Sequence, residues 1–315
     1  MLVLAPMQGL TGLPFRKAFY RTFGDVFDYA VSPFISLTHG NLTLADKKIH
    51  DVLPENNRGL MPVVPQVLGS EIPEFVDLAN RLYDIGYTEI NWNIGCPMPR
   101  VARKIRGSGI LQHPSKVDEV LEAVTTKTKV EVSVKMRLGY RSENEIFDLI
   151  PILNKYPLKN VIIHPRTGVE LYSSQLHIES LKRTLPLIKH KVIYNGEIKT
   201  TLDAEYVKEH IGDFSGIMIG RGVLFDPLLP LRLKNCNVTD ENRLLHSFLD
   251  NLCDEIGQLH IPDKSKANKL KEYWSFLNSN PNIKTNADPL HCKTFAETHE
   301  AVSKCLLSIE NQSIK

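Results

Sequence analysis

The stretch Asn91-Trp92-Asn93-Ile94-Gly95-Cys96-Pro97 follows a short β-rich run, Tyr87-Thr88-Glu89-Ile90, and reaches a lone thiol. A run that passes into polar residues and then into glycine and proline is typical of a strand that ends at a functional loop. A thiol at such a strand end is a candidate for chemistry. The alternative is that Cys96 only fills space, because free cysteines are among the most buried residues.

The segment after Cys96 is basic. Four cations follow it closely: Arg100, Arg103, Lys104 and Arg106. Gly107-Ser108-Gly109 comes next and predicts a flexible loop. A thiol beside a basic loop suits an anionic substrate.

Similar apolar runs recur up to about residue 225 and alternate with stretches of helical period. The eight runs are Leu2–Met7, Tyr29–Ile35, Val63–Gly69, Thr88–Gly95, Val130–Met136, Val161–Arg166, Val192–Ile198 and Gly216–Gly222. The helix candidates lie around Pro14–Arg21, Ile72–Ile85, Ser115–Thr126, Glu143–Lys155, Ile178–Lys189 and Leu202–His210. Near-continuous apolar strands that alternate with helices are typical of parallel βα units. Eight such units predict an α/β fold, a (β/α)8 TIM barrel rather than an open sheet.

The remaining chain shows only helical signals. Three helices are predicted over Thr239–His260, Lys264–Asn278 and Lys293–Ile309. We therefore expect a barrel domain over residues 1–238 and an all-helical domain over residues 239–315. Four lysines near the start of the second helix either form a solvated face or join the basic loop in contacting a phosphate backbone. They are Lys264, Lys266, Lys269 and Lys271.

Composition narrows the classes of protein. The 315 residues are 42% hydrophobic and 23% charged, with a net charge of +2, so a polyanionic partner would have to meet a local basic patch. No uncharged apolar run reaches the ~18 residues of a membrane span. The stretch Met1–Met7 has no cationic region and meets proline at once, so we expect no signal peptide. The five cysteines are scattered without metal-ligand spacing, which predicts neither disulfides nor a metal site and fits a reducing cytoplasm.

Polar residues end seven of the eight predicted strands. In a (β/α)8 barrel these ends meet at one mouth, where the active site lies. The residues are Pro6-Met7-Gln8, Gln66, Asn93 and Cys96, Lys135 and Arg137, His164 and Arg166, Asn195-Gly196-Glu197, and Gly220-Arg221-Gly222. Alone, His164 reads as a hydrogen-bonded core histidine and Lys135 as a surface lysine, but both interrupt apolar runs where burial without partners is costly. Together the strand ends predict one shared site.

Glycine-rich turns follow the seventh and eighth strands, where barrels of this class commonly bind phosphate. The turns are Asn195-Gly196-Glu197 and Gly220-Arg221-Gly222. Arg221 would add a charge-assisted contact. The pair indicates a phosphate-bearing ligand such as FMN.

In their order and spacing, these motifs resemble those of the tRNA-dihydrouridine synthases, over nearly the whole chain. The motifs are Leu4-Ala5-Pro6-Met7, Gln66-Val67-Leu68-Gly69, Asn91–Pro97, Ser133-Val134-Lys135-Met136-Arg137, His164-Pro165-Arg166-Thr167, Asn195-Gly196-Glu197 and Met218-Ile219-Gly220-Arg221-Gly222. The most specific is the Asn-x-Gly-Cys-Pro motif with the basic and glycine-rich segment after it. The N-terminal segment and the helix around Tyr273–Leu277 are most similar to the bacterial C-type branch, which acts on uridine 16.

The resemblance implies an activity. The family reduces a uridine of the tRNA D-loop to 5,6-dihydrouridine, with FMN that NADPH re-reduces. A hydride would pass from flavin N5 to C6 of the uracil, and Cys96, as a neutral thiol, would give the proton to C5. The uridine would swing out of the tRNA elbow into the barrel mouth. The chain is expected to act as a monomer, without metal or membrane.

The resemblance also implies a role for each site residue. Pro6, Met7 and Gln8 would line the flavin, Gln66 would hydrogen-bond its ring system, Lys135 would lie near N1 and O2, and His164 would also contact it. The ribityl phosphate would be held by Asn195, Gly196, Glu197, Gly220 and Arg221. Asn93 and Arg137 would hold the uracil, and Arg100, Arg103 and Lys104 would bind the tRNA backbone.

Three other functions remain open from the sequence. An FMN-dependent barrel reductase of a small molecule such as a dihydropyrimidine would need neither the helical domain nor the cations at 100–106. A lyase of the aldolase kind would use Lys135 for a Schiff base and no flavin. A tRNA-binding protein without catalysis is disfavoured by Cys96 and Lys135. The target uridine and the choice between NADPH and NADH also stay open.

Overall fold

The barrel sheet consists of ten parallel strands within the part of the chain that the structure describes. This computed structural model describes residues 1–36, 48–281 and 289–313, with the backbone alone for 305–313. The strands, numbered β1 to β10 in chain order, are Leu2–Leu4, Tyr29–Val31, Ile35–Ser36, Val63–Val64, Gln66–Leu68, Glu89–Ile94, Glu131–Gly139, Leu158–Thr167, Val192–Tyr194 and Gly216–Ile219. Their order in the sheet is β3-β5-β6-β7-β8-β9-β10-β1-β2-β4.

Two proline breaks explain why eight predicted runs give ten strands. Pro33 separates β2 from β3, and Pro65 separates β4 from β5. Proline has no N–H for the ladder. The first half of the second run, β2, pairs with β4, and its second half, β3, pairs with β5. The strands at the two ends of the sheet order, β3 and β4, therefore belong to two neighbouring runs, and the sheet closes on itself. The predicted (β/α)8 barrel is confirmed.

Helices cover the outside of the barrel at all six predicted places. Helices α1 to α8 are Leu13–Phe23, Pro54–Asn57, Ile72–Asp84, Pro99–Ala102, Pro114–Lys127, Ile146–Leu153, Ile178–Thr184 and Thr201–Ile211. Two predicted helices are shorter than expected, because a 3-10 turn takes one end of each. These turns are Glu143–Glu145 and Leu185–Leu187. The first carries a capping box in which Ser142 and Glu145 satisfy each other's backbone N–H groups.

The three predicted C-terminal helices are also present. Two short helices, Arg221–Phe225 (α9) and Leu229–Leu233 (α10), precede Glu241–Gly257 (α11), Asp263–Leu277 (α12) and Phe295–Ser313 (α13). Asp240 caps α11 by accepting the N–H of Arg243 at 3.0 Å. No helix of the described residues is long and apolar enough to cross a membrane.

An aromatic cluster joins the C-terminal helices to α1 of the barrel. The ring of Phe248 on α11 meets Phe15 edge-on at 5.6 Å and lies 5.5 Å from Phe23. Tyr273 on α12 stacks on Phe15 at 6.0 Å. These residues belong to one hydrophobic core together with the barrel helices. The domain boundary between residues 238 and 239 stays a prediction.

The lysines of α12 form neither the solvated face nor the phosphate-binding row that the sequence predicts as alternatives. Lys266, Lys269 and Lys271 are half-buried, and their ammonium groups donate to the carbonyls of Gly257, Gly9 and Cys292. Of the four lysines, only Lys264 is exposed. Carbonyls at helix ends and in loops lack backbone donors, so a lysine stem that packs along the surface can satisfy them. These three lysines tie the helix to its neighbours instead of forming a free cationic row.

The continuous core predicts that the barrel and the C-terminal helices unfold together. The chain has two tryptophans, Trp92 in β6 and Trp274 in α12, both 1% exposed. In the variants Trp92→Phe and Trp274→Phe, the remaining tryptophan should report the same urea midpoint as far-UV circular dichroism. Phe248→Ala should lower both midpoints, with a loss of about 3 to 5 kcal/mol.

Leu202→Ala is the matched control, because Leu202 is 71% exposed. It should change the free energy of unfolding by less than about 0.5 kcal/mol. Separate midpoints for the two tryptophans would show that the helices form an independent unit.

Candidate active site

One cavity of about 680 Å³ opens at the mouth where the carboxyl ends of the strands meet. Its volume lies within the usual range for small-molecule sites. All but three of the residues to which the family resemblance assigns a role line it. Those that do are Pro6, Met7, Gln8, Asn93, Cys96, Arg100, Lys135, Arg137, His164, Asn195, Gly196, Glu197, Gly220 and Arg221. The barrel thus brings together strand ends that are far apart in the sequence.

The loop after β1 forms one wall and is held from two sides. The Thr11 hydroxyl accepts the N–H of Met7 at 2.8 Å and donates to the carbonyl of Ala5 at 2.7 Å. From α12, Lys269 donates to the carbonyl of Gly9, and the Tyr273 hydroxyl donates to that of Leu10. The C-terminal helices therefore help to shape the cavity.

Two residues of α12 line the cavity themselves, and neither was predicted. They are Glu272 and Phe276. Their spacing of four places them on the same helix face, and this was the only local signal available. The choice of the face that meets the barrel depends on packing against α1.

The turn that carries Cys96 is anchored on both sides of the residue. The Asn93 side-chain oxygen accepts the N–H groups of Gly95 at 3.1 Å and of Cys96 at 2.9 Å. The Cys96 carbonyl accepts the N–H of Ser108 at 2.9 Å and its hydroxyl at 3.0 Å. A Cβ on Gly107, whose φ is +55°, would lie 2.6 Å from that same carbonyl. Glycine is required there so that the chain can approach Cys96.

The prediction of a flexible loop at Gly107-Ser108-Gly109 is wrong. Residues Gly107–Gln112 form a buried 3-10 helix, and Arg106 is only 8% exposed. A Cβ on Gly109 would lie 2.1 Å from the Ala102 carbonyl. The glycines serve close packing, which the sequence does not distinguish from mobility.

Cys96 is a neutral thiol at neutral pH. Burial raises the pKa of the thiol above its ordinary value and outweighs a hydrogen bond from the Met98 N–H and the charges of Arg137 and Lys135. A protonated sulfur is equipped to give a proton.

Lys135 is a buried cation that lines the cavity. It lies in β7, and among the described residues no hydrogen bond or ion pair holds its ammonium group. Burial, together with the charge of Arg137, lowers the pKa of Lys135 to about 7. A bound anion beside Lys135 would raise that pKa again.

The geometry around His164 fixes its tautomer. Its Nδ1 lies 2.7 Å from the Asn195 carbonyl, so Nδ1 carries the hydrogen. Nη1 of Arg166 lies 3.4 Å from Nε2, and this donor suits a lone pair. Burial and the charges of Arg137 and Lys135 hold the pKa of His164 well below its ordinary value, so the ring is neutral.

Two arginines share one carboxylate at the far wall. Glu197 pairs with Arg166 at 2.8 Å and with Arg221. The Arg221 guanidinium lies 4.5 Å from the ring of Tyr172, and that of Arg137 lies 5.3 Å from the same ring. Tyr172 is 52% exposed and lines the cavity, yet its loop has no pattern that marks it.

Glycines keep the wall near these arginines at backbone level. A Cβ on Gly196 would lie 2.0 Å from the Tyr194 hydroxyl, and one on Gly220 would lie 3.2 Å from both Ala5 Cβ and Met7 Sδ. With Arg221 and Lys135 in the same cavity, this wall fits a ligand that carries phosphate and a second anionic group. The residues present therefore fit FMN.

Three of the residues with a role implied by the resemblance lie outside the cavity lining, as does the predicted strand-end residue Arg166. Gln66 is fully buried, and its amide donates to Asn91 Oδ1 at 2.7 Å and accepts from Asn93 Nδ2 at 2.8 Å. Arg103 and Lys104 are exposed beside Arg100, at the end of α4. The assignment of Gln66 to the flavin ring stays a prediction, as do the roles of the other site residues.

The fold and the site together define a TIM-barrel protein with a cationic, thiol-bearing mouth for an anionic ligand. The family model described as Dihydrouridine synthase (Dus) matches residues 3–281. The chain belongs to this family. Within the described residues, no group of three or more His, Cys, Asp or Glu side chains is placed to hold a metal ion.

Similar proteins agree with the family. The chain is 30% identical to tRNA-dihydrouridine synthase B of Vibrio parahaemolyticus over 221 residues, which are 70% of this chain and 66% of that protein. It is 28% identical to the protein of the same name from Pasteurella multocida over 264 residues, covering 83% and 76% of the two chains. Both bear the name B, and the C-type branch with its uridine 16 stays a prediction.

The solved structures that resemble the chain support the fold. The old yellow enzyme from Trypanosoma cruzi superposes with a TM-score of 0.53 at 10% identity, over 78% of this chain and 91% of that one. At this identity, the likeness speaks for the barrel alone.

Lys135 gives a prediction for the ligand-free protein. Its folded pKa is about 7 and its ordinary value is 10.5, so the charged form opposes folding fully below about pH 7 and less as the pH rises toward 10.5. Lys135→Met should therefore raise the free energy of unfolding by about 1 to 3 kcal/mol near pH 6, with a gain that shrinks by pH 10. Urea titrations at several pH values measure it.

Lys264→Met is the control, since Lys264 is exposed on α12, and it should change the free energy of unfolding by less than about 0.5 kcal/mol. A Lys135→Met protein that is less stable at every pH would show that the ammonium is already compensated.

Proposed function

We propose that this protein is an FMN-dependent tRNA-dihydrouridine synthase, which reduces the C5=C6 bond of a D-loop uridine with NADPH as reductant. The observation that carries the proposal is a neutral Cys96 thiol and an uncompensated Lys135 ammonium in one cavity. Family membership and the names of the similar proteins support the same reaction.

When bound, FMN supplies the hydride, from N5 to C6 of the uracil. Lys135 would supply positive charge beside an anionic flavin ring, and the pKa of Lys135 would rise in that complex. Pro6, Met7 and Gln8 shape the wall for the ring. Gly196, Gly220 and Arg221 hold the phosphate.

Cys96 gives its Sγ–H proton to C5 of the uracil. This requires a donor that stays protonated until the hydride arrives, and the raised pKa of the thiol meets that requirement. The anchored turn keeps the sulfur on one side of the cavity. The proton from Cys96 would then reach the face of the base opposite the one that receives the hydride.

Arg137 is held in the cavity by two backbone carbonyls and lies against the ring of Tyr172. Its Nε donates to the Gly95 carbonyl at 3.1 Å and its Nη1 to the Thr167 carbonyl at 2.6 Å. These bonds fix the guanidinium plane beside the place proposed for the uracil. Asn93 orients the turn and is the second residue proposed to hold the base.

The exposed cations beside Cys96 bind the tRNA backbone. Arg100, Arg103 and Lys104 extend from the cavity rim to the outer surface. Phosphate contacts there bring the D-loop to the mouth while the target uridine turns inward. The protein acts as a monomer in the cytoplasm.

Cys96→Ala tests the chemistry. The variant should bind flavin and be reduced by NADPH at the wild-type rate, while dihydrouridine formation falls by at least about a thousandfold, because the proton donor is gone. Flavin absorbance follows the first step, and mass mapping of tRNA follows the second. Cys236→Ala, at an exposed cysteine, should have full activity.

Two outcomes would contradict the proposal. Normal dihydrouridine yield from Cys96→Ala would refute the acid role. A wild-type protein that remains colourless with added FMN would favour the lyase. The pKa of Lys135 near 7 also suits Schiff-base formation, which borohydride with a carbonyl substrate would trap.

Charge reversal tests the surface for tRNA. Arg103→Glu with Lys104→Glu should weaken tRNA binding by about tenfold or more at low salt, and the slope of log K against log salt should fall by about 2. Filter binding or fluorescence anisotropy measures both.

The matched control is Lys127→Glu with Lys129→Glu. It makes the same charge change at exposed residues just before β7, at the other end of the barrel. Equal loss of affinity in both double variants would mean that binding follows net charge instead of this surface.

A further inference from the structure

A row of four buried polar side chains lies behind the Cys96 turn. We name Ser133, Asn91, Gln66 and Asn93 the amide relay; they are 1%, 0%, 0% and 7% exposed. Asn91 Nδ2 donates to Ser133 Oγ at 3.0 Å, Gln66 Nε2 to Asn91 Oδ1 at 2.7 Å, and Asn93 Nδ2 to Gln66 Oε1 at 2.8 Å. The relay crosses β5, β6 and β7 and ends at the turn of the proposed proton donor.

The cavity end fixes the direction of every bond in the relay. Asn93 Oδ1 faces two backbone N–H groups, those of Gly95 and Cys96, so the amide nitrogen of Asn93 must point to Gln66. The amides of Gln66 and Asn91 then have one orientation each. The Ser133 hydroxyl accepts at the far end and donates to the Ile90 carbonyl at 3.3 Å.

The loss of a hydrogen bond at one end of the relay therefore affects the orientation of the side chain at the other end. Without the Ser133 hydroxyl, Asn91 Nδ2 would be a buried donor with no acceptor, and leaving a buried donor unpaired costs free energy. Rotation of the Asn91 amide would turn its nitrogen toward Gln66 and force the next amides to rotate. Asn93 would then present its NH2 group to the N–H groups of Gly95 and Cys96.

We propose that Ser133 and Asn91 are positioning residues, which fix the position of the Cys96 thiol through Gln66 and Asn93. Neither residue lines the cavity, so any effect on Cys96 must pass through the relay. Where it concerns turnover, this inference rests on the function proposed above. The Cys96 carbonyl is held separately by Ser108, so the relay controls the N-terminal side of the residue.

Ser133→Ala is the test, with a readout that needs no catalysis. Iodoacetamide labelling of Cys96 in the purified full-length protein, resolved by peptide mass spectrometry, should become about three- to tenfold faster, the factor expected for the loss of one hydrogen bond. In the flavin-loaded protein, oxidation by tRNA should slow by a similar factor, with reduction by NADPH unchanged. Ser133→Thr keeps the hydroxyl and should restore wild-type values. Ser133→Cys, which substitutes a weaker acceptor without deleting the group, should give an intermediate factor.

The matched control is Ser32→Ala. Ser32 is also fully buried, and its hydroxyl accepts the backbone N–H of Gln66 at 3.1 Å, outside the side-chain relay. It should leave the labelling of Cys96 unchanged. Equal labelling of wild type and Ser133→Ala, or the same acceleration in Ser32→Ala, would overturn the proposal.

The two proposals fail in different ways. If the wild type makes no dihydrouridine but labelling of Cys96 responds to Ser133→Ala and not to Ser32→Ala, the relay stands and the proposed function fails. If dihydrouridine forms and labelling does not respond, the function stands and the relay is wrong.

Discussion

Parallel pairing of β2 with β4 and of β3 with β5 closes the sheet, and the site depends on this closure. All strands then present their carboxyl ends at one mouth. Met7, Cys96 and His164, which are far apart in the chain, come to line one cavity as a result. The proline breaks that shorten these strands do not open the barrel, because each half keeps its own partner.

Burial at the mouth acts on three titratable groups in a common way. It raises the pKa of Cys96 and lowers the pKa of Lys135 and His164, so each group is driven toward its neutral form. Permanent charge is left to the arginines, whose guanidiniums are held by carbonyls, by Glu197 and by the ring of Tyr172. The arginines thus give the cavity a fixed positive charge, and Lys135 adds a charge that can be gained or lost near neutral pH. This combination suits a ligand whose own charge changes during turnover.

The C-terminal helices take part in the site. Tyr273 and Lys269 hold carbonyls of the loop that forms one wall, while Glu272 and Phe276 reach the cavity from the same helix. Phe248 on α11 and Tyr273 on α12 join these two helices to α1 through aromatic contacts. Any movement of these helices on binding a partner would therefore reach the loop after β1.

The sequence by itself determined the barrel, its strand ends and most of the residues that those ends bring to the mouth, because apolar periodicity and interrupting polar residues are local properties of the chain. It did not determine what those residues touch. Gly107 and Gly109 predict a loop from their sequence, but they pack tightly against the backbone of other segments. Lys269 has the sequence pattern of a surface charge, but it donates to the carbonyl of Gly9. The amide nitrogen and oxygen of Gln66 each bond an asparagine side chain. Those partners lie on other elements, up to 260 residues away in the case of Lys269. Burial and hydrogen-bond choice are settled only when those elements pack, so the tertiary structure alone decided which side chains are free for chemistry and which are already committed.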